Sequence, residues 1–182
     1  MELFEMYDID RKPVGMQIVR GNKVPDGCYH NVVHCCVFNT TGEMLIQQRQ
    51  PFKDGWSNLW DITMGGSAVA GENSREAVTR EMREEVGMEL DFSTSRPAFT
   101  INFGHIFDDI YIIDRDVDET TLTLQAEEVQ RVCWASAEKI KSMIESGEFI
   151  PYWPSLIDFI FDWHRNKNMR FRRDDTVPAP RP

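Results

Sequence analysis

One stretch constrains this chain more than any other: GGSAVAGENSREAVTREMREEVGM, from Gly65 to Met88. It reads as a glycine turn running into a helix whose two ends are both marked. Asn73 is placed to cap the first turn, and Glu76 three residues on completes a capping box. Gly87 stands where the helix must stop, since a left-handed residue closes the last turn without a Cβ penalty. Val78, Met82 and Val86 recur at four-residue spacing and give the helix one apolar stripe, so it packs on a single surface. Such a helix needs a layer to lie on.

The rest of the chain supplies that layer. YHNVVHCCVFNTTGEMLIQQRQ reads as two strands joined by a turn at Asn39 to Gly42. LFEMYDID, the short ITMGG segment, MELDF, PAFTINF, DIYIID and VQRVCW read as further strands. SAEKIKSMIESG is a second helix with Ser136 as its N-cap. SLIDFIFDWHRN is a third, amphipathic helix with Ser155 and Asp158 at its start. PFKDGWSNLWD is an aromatic loop, and DRDVDETTLTLQAEE a polar acidic one. Strands interleaved with three helices predict an α/β fold with a mixed sheet. A length of 182 residues fits one domain, over residues 1–168, followed by a proline-rich tail, 169–182, expected to be mobile.

Composition narrows the function. At 41% hydrophobic and 27% charged the chain is globular, and its net charge of −10 argues against a nucleic-acid polymer as partner. An acidic protein can still bind phosphate compounds through a metal ion. The four cysteines, Cys28, Cys35, Cys36 and Cys133, show no zinc spacing and read as small apolar residues in a reducing compartment. Cys35 and Cys36, adjacent on a strand, should face opposite sides of the sheet. With no apolar run of spanning length and an acidic N-terminus, a cytoplasmic protein without membrane contact is expected. Its oligomeric state, a homodimer included, stays open.

Glu81, Glu84 and Glu85 fall at i, i+3 and i+4 on the first helix, so three carboxylates share one face. Arg80, four residues before Glu84, can pair with one of them. Like charges so placed repel, and a hard divalent cation offsets them through carboxylate oxygens. The glycine pair upstream lets backbone approach a ligand closely.

The full spacing resembles the Nudix box, G-x5-E-x7-R-E-U-x-E-E-x-G-U with U a bulky apolar residue. Gly66, Glu72, Arg80, Glu81, Met82, Glu84, Glu85, Gly87 and Met88 fill every defined position. The resemblance implies an α/β/α sandwich with a catalytic loop-helix-loop that uses Mg2+ or Mn2+ to cleave a diphosphate linkage. It implies Glu81, Glu84 and Glu85 as metal ligands, with the Gly65 carbonyl joining them. Arg80 would orient a glutamate, and Glu72 and Gly66 would support the site from behind. The general base stays open between Glu81 and the acids of the later loop: Asp118, Glu119, Glu127 and Glu128.

The segment upstream of the box is similar to the isopentenyl-diphosphate isomerase-like branch, but Gly65 and Ser67 stand where those isomerases carry a cysteine and a metal-binding histidine. Of that branch's metal histidines only His30 has a counterpart. His30 and His34 share a strand face and read as ordinary polar strand residues. Arg49, at a strand end, is a candidate phosphate contact. Trp56 is a candidate stacking surface or loop cover, and Trp60 is expected in the core. Three functions remain: a hydrolase acting on a nucleoside diphosphate derivative or other organic pyrophosphate, an isopentenyl-diphosphate isomerase, or a diphosphate-binding module without turnover. The tag region after the box, Phe103 to His105, names no substrate.

Overall fold

The computed structural model describes residues 2–167, so the expected mobile tail at 169–182 lies outside the described residues. Strand β3 (His30–Phe38) is the spine. It runs parallel to β8 (Ile106–Asp114) along its whole length, and β8 pairs antiparallel with the edge strand β7 (Phe99–Phe103). On its other side β3 meets two partners in turn. The short β6 (Met64–Ser67) takes its first half, and β4 (Met44–Arg49) meets it only at Phe38 and Met44.

The expected hairpin is therefore closed only at its turn. Asn39 and Gly42 make that turn, with the Gly42 N–H donating to the Asn39 carbonyl at 3.0 Å. Beyond it β4 swings away to pair with β9 (Val129–Ala135) and with the two-residue β5 (Trp60–Asp61). Thr63 fills the gap where the strands part: its buried hydroxyl accepts from Val37 N at 2.9 Å and donates to the Leu45 carbonyl. The mouth of that divergence, between β6 and β4, is where the cleft described below opens.

Two cores result. Helix α1 (Ser74–Val86) lays Ala77, Val78, Met82 and Val86 on one face, against Val33, Cys35, Val37, Leu45 and Met64. Helices α2 (Ala137–Ser146) and α3 (Pro154–Arg165) cover the other face, where Ile140, Ile157 and Phe161 meet Cys36, Phe38, Met44 and Ile46. Cys35 and Cys36 thus face opposite cores as expected, and all four cysteines are free thiols. This is an α/β/α sandwich. Among the described residues no helix is long and apolar enough to cross a membrane.

Four readings need correction. Residues 88–92 form no strand: Met88 and Phe92 are buried beneath α1 in the alternation of a strand, but no neighbour offers them a ladder. Helix α3 begins one residue earlier than read. Pro154 opens it after Trp153, which gives no side-chain cap, and Asp158 is turned to Lys141 of α2 at 2.6 Å. Residues Pro13–Val19, unassigned from sequence, form β2, which pairs with β1 (Leu3–Tyr7) as a separate two-stranded sheet. Pro13, Gly15 and an exposed pattern hid it. Trp60 is only partly buried, packed beside the α2–α3 core under the Arg131 guanidinium, 5.2 Å from its ring centre.

Candidate active site

The glycine turn and the start of α1 are built as the spacing predicts. Asn73 accepts from Arg75 N and Glu76 N, and Glu76 returns the contact to Asn73 N at 2.8 Å. At the far end Gly87 has φ 69°, and a Cβ there would meet the Thr123 carbonyl at 2.7 Å. Both the turn and the space demand glycine. Gly65 and Gly66 are required by close approach instead. A Cβ on Gly65 would collide with the His34 imidazole, and one on Gly66 with the Glu81 carboxyl. The glycine pair is the floor on which two functional side chains lie.

A cleft of about 230 Å³ opens above that floor, lined by Gly65, Gly66, Glu81, Glu84 and Glu85 on one side and by Arg49, Lys53 and Glu128 on another, with His34 between. A larger groove, about 430 Å³, runs along the outer face of α1 between Arg75, Arg83 and Asp91. It holds none of these glutamates, so we place the site in the smaller, charge-lined cleft.

Arg80 organises the helix side. Its guanidinium meets Glu72 (2.7 and 2.9 Å), Glu81 (2.9 Å), Glu84 (3.1 Å) and the Ser67 carbonyl (3.1 Å). The Glu72 hydrogen bond raises the arginine's pKa, and Arg80 in turn overcomes the burial of Glu72 and holds that carboxyl low. Glu72 also accepts from Val69 N, which ties the loop to the helix.

The three carboxylates do not point at one spot. Glu81 lies on Gly66 and Arg80, Glu84 turns outward to Arg80, and Glu85 is buried against the Gln47 amide at 3.0 Å. Among the described residues no three His, Cys, Asp or Glu side chains are grouped as a ready-made metal site. The chemistry of the cleft nonetheless suits a hard cation. Burial, with Glu81 beside it, pushes the Glu85 carboxyl up to about 8, and burial raises Glu81 as well. The Gln47 Oε1 next to Glu85 is buried without a donor. Glu85, a carboxylate paired with an amide and no cation, and an unsatisfied carbonyl oxygen beside it are the kind of oxygen donors that Mg2+ and Mn2+ take.

Of the acidic-loop candidates only Glu128 reaches the cleft, where it is ion-paired to Lys53. Glu127 is exposed and outside the cleft lining. Glu119 also stands outside that lining, and Asp118 is occupied in capping a single turn of helix at Glu119–Thr121 through Thr120. The loop is registered to α1, because Gln125 N donates to the Glu85 carbonyl at 3.0 Å. Arg49 lines the cleft, and its buried Nε–H has no acceptor. Trp56 sits outside the lining, 54% exposed at φ 50° on the aromatic loop.

The sequence reading took His34 for an ordinary polar strand residue and did not single out Gln47, Lys53 or Arg20. His34 carries its Nδ1 2.7 Å from the buried Asp108 carboxylate. Burial works against its charge, but Asp108, with Asp61 and Glu85 behind it, outweighs burial and raises its pKa. A polar pair, Gln47–Gln48, inside an apolar strand was the available signal for Gln47. His30 is remote from this arrangement, stacked on Phe4 with ring centres 4.8 Å apart.

The comparisons agree with the geometry. The family model described as NUDIX domain matches residues 29–153. An uncharacterized Nudix hydrolase of Listeria innocua is 45% identical over 152 residues, covering 84% of this chain and 90% of its own. A protein of Corynebacterium diphtheriae named isopentenyl-diphosphate Delta-isomerase is 25% identical over 158 residues, covering 82% and 86%. A crystal structure from Deinococcus radiodurans superposes with a TM-score of 0.70 at 24% identity, covering 87% of this chain and 97% of that one. At that identity the likeness speaks to the fold. With the family match spanning most of the chain and the box glutamates gathered on one cleft, this protein belongs to the Nudix hydrolase family.

Proposed function

We propose that the protein hydrolyses a diphosphate linkage in a nucleoside diphosphate derivative or another organic pyrophosphate, with Mg2+ or Mn2+ held by Glu81, Glu84, Glu85 and the Gly65 carbonyl. The observation that carries this reading is a cleft with box glutamates on one wall and the cations Arg49 and Lys53 on another. When bound, a divalent cation of this class screens phosphate charge and lowers the pKa of water.

The chain's own groups do the rest. Arg80 fixes the orientation of Glu81 and Glu84 from behind, while Glu72 holds Arg80. Arg49 binds a phosphate oxygen. Glu81 or Glu128 takes the proton as the oxygen of water attacks phosphorus and the anhydride P–O bond breaks, leaving two phosphate products. Trp56 covers the group carried beyond the diphosphate from the loop at the rim.

The isomerase reading is weaker. It needs an acid strong enough to protonate carbon. Gly65 offers none, burial pushes the thiols of Cys35 and Cys36 far up, and burial lowers the pKa of His30 and so depletes the protonated ring that would have to donate. Incubation with a panel of nucleoside diphosphate derivatives and Mg2+, with and without EDTA, tests the proposal. Release of phosphate or a monophosphate that EDTA abolishes is expected. Binding without turnover across the panel would leave a binding module, and conversion of isopentenyl to dimethylallyl diphosphate would restore the isomerase.

A further inference from the structure

Residues 2–20 lie ahead of the stretch matched by the family, residues 29–153, yet Glu2 and Arg20 both stand on the cleft wall. They arrive there on the β1–β2 hairpin, which is fastened to the sandwich at several points. At the hairpin's turn Arg11 makes a two-pronged contact with the buried Asp109, at 2.8 and 3.0 Å, and a third bond to Asn31 at 3.1 Å. Tyr7 and Tyr29 exchange backbone bonds at 2.8 and 2.9 Å. The Leu3 carbonyl accepts from Ala70 N at 2.7 Å, in the loop between Gly66 and α1. The hairpin is therefore joined directly to the loop that holds Glu72; β1 anchors it with buried Phe4 and Met6, while β2, which leads to Arg20, has no buried residue.

What the attachment does place is Arg20. Its Nη1 donates to Glu2 Oε2 at 2.7 Å across the cleft wall. The Glu2 hydrogen bond raises the guanidinium pKa against some desolvation, and Glu128 and Glu81 add to the rise, so Arg20 feels both the loop side and the helix side of the cleft. The pair is largely exposed, with 60% and 49% of the two side chains accessible, and an exposed ion pair of this kind is weak enough to be exchanged.

We propose that Arg20 is a substrate-binding residue: it leaves Glu2 for an anionic oxygen of the incoming diphosphate, so that the N-terminal hairpin, and not only the matched domain, recognises the substrate. The inference rests on reading the cleft as a diphosphate site. Glu2 is then a competitor for the same guanidinium, holding it until substrate arrives.

Two variants that break the same ion pair separate this from a purely structural strut. If the pair only braces the hairpin, Arg20→Ala and Glu2→Gln weaken ligand binding together. If Arg20 binds substrate, the two move apart. The probe is methylenediphosphonate with Mg2+, which cannot be hydrolysed, titrated by calorimetry into full-length protein, with thermal melts as the control on folding. We expect Arg20→Ala to raise Kd about tenfold, the worth of one hydrogen bond to a charged group. We expect Glu2→Gln to lower Kd roughly twofold, with both melts near wild type, as an exposed pair allows. Equal weakening by both, an unchanged Kd in Arg20→Ala, or no binding by the wild type overturns the proposal. A wild type that binds the probe with the expected split but turns over no compound in the panel loses the hydrolase reading and keeps this one. A working hydrolase in which Arg20→Ala binds normally loses this one alone.

Discussion

Helix α1 and the β1–β2 hairpin both bring charge to the same cleft, and they do so in opposite ways. The helix carries its acids at spacings set by its own geometry, closed off by Asn73 and Gly87, with one arginine gathering three of its neighbours. The hairpin carries no pattern of its own. Arg20 reaches the cleft because Arg11, Tyr7 and Leu3 are tied to residues far along the chain. A site assembled by local spacing tolerates change in its surroundings and little within itself. One delivered by tertiary contacts is lost from a distance.

The largest expected effect lies on the helix. Glu84→Gln keeps shape and removes the charge of a proposed ligand, so turnover should fall roughly a thousandfold with little change in the melt, since metal-assisted charge stabilisation is worth several kcal/mol. Unchanged kcat on the true substrate would remove Glu84 from the machinery. Gly66→Ala comes next. The new methyl would occupy the space of the Glu81 carboxyl, and displacing that group by about an ångström should cost about a hundredfold in kcat/KM. A variant with wild-type activity would show that Glu81 works from another rotamer.

The third test concerns stability of the metal-free protein. The Glu85 pKa is raised from its ordinary 4.5 to about 8 in the folded state, so the native form holds this proton more tightly than the unfolded one. Its contribution is fully present below pH 4.5 and is lost as pH rises toward 8. Between pH 5 and 7 denaturant unfolding should show a loss of about 2–3 kcal/mol from this group, at up to about 1.4 kcal/mol per unit of pH. Glu85→Gln should flatten that slope, as should Mg2+; an equal slope in the variant assigns the effect elsewhere. The smallest effects set the two regions side by side. Asn73→Ala should cost about 1 kcal/mol through the lost cap and act on the helix alone. Arg11→Ala leaves Asp109 buried without its cation and should cost about 1–2 kcal/mol, discounted because Arg11 is itself 36% exposed. Arg11→Ala should also loosen diphosphonate binding through Arg20, which Asn73→Ala should not; equal effects on binding would erase the difference between hairpin and helix.

This contrast also sets what the sequence could reveal. The capping box, the stop at Gly87 and the opposite facing of Cys35 and Cys36 follow from local rules and were readable. So was the sandwich, whereas the three helix acids that spacing puts on one face turn to different partners, Glu81 to Gly66 and Arg80, Glu84 to Arg80 and Glu85 to Gln47. The divergence of β4 from β3 was not, because it depends on Thr63 bridging strands that no spacing relates to it. Residues 88–92 have a strand's alternation without a strand's partner, and alternation reports burial rather than pairing. Of the acidic loop, sequence offered several equivalent carboxylates. Only the bond of Gln50 N to the Glu128 carbonyl and the ion pair with Lys53 bring one of them inward. The direction of Glu85, toward Gln47 instead of its helical neighbours, belongs to the same class of facts.

The bond from Gln125 N to the Glu85 carbonyl has a dynamic consequence. It couples the last turn of α1 to the acidic loop, whose Leu122 and Leu124 pack against the core under the helix, and the close fit of Gly87 against Thr123 lies beside it. The Gln125 amide can exchange its hydrogen only when that junction parts. Its exchange rate therefore clocks how often the carboxylate-bearing end of the helix and the Glu128 loop separate. Ligands that draw the two walls together should slow it, while amides of the outward-facing Thr120 turn keep their pace.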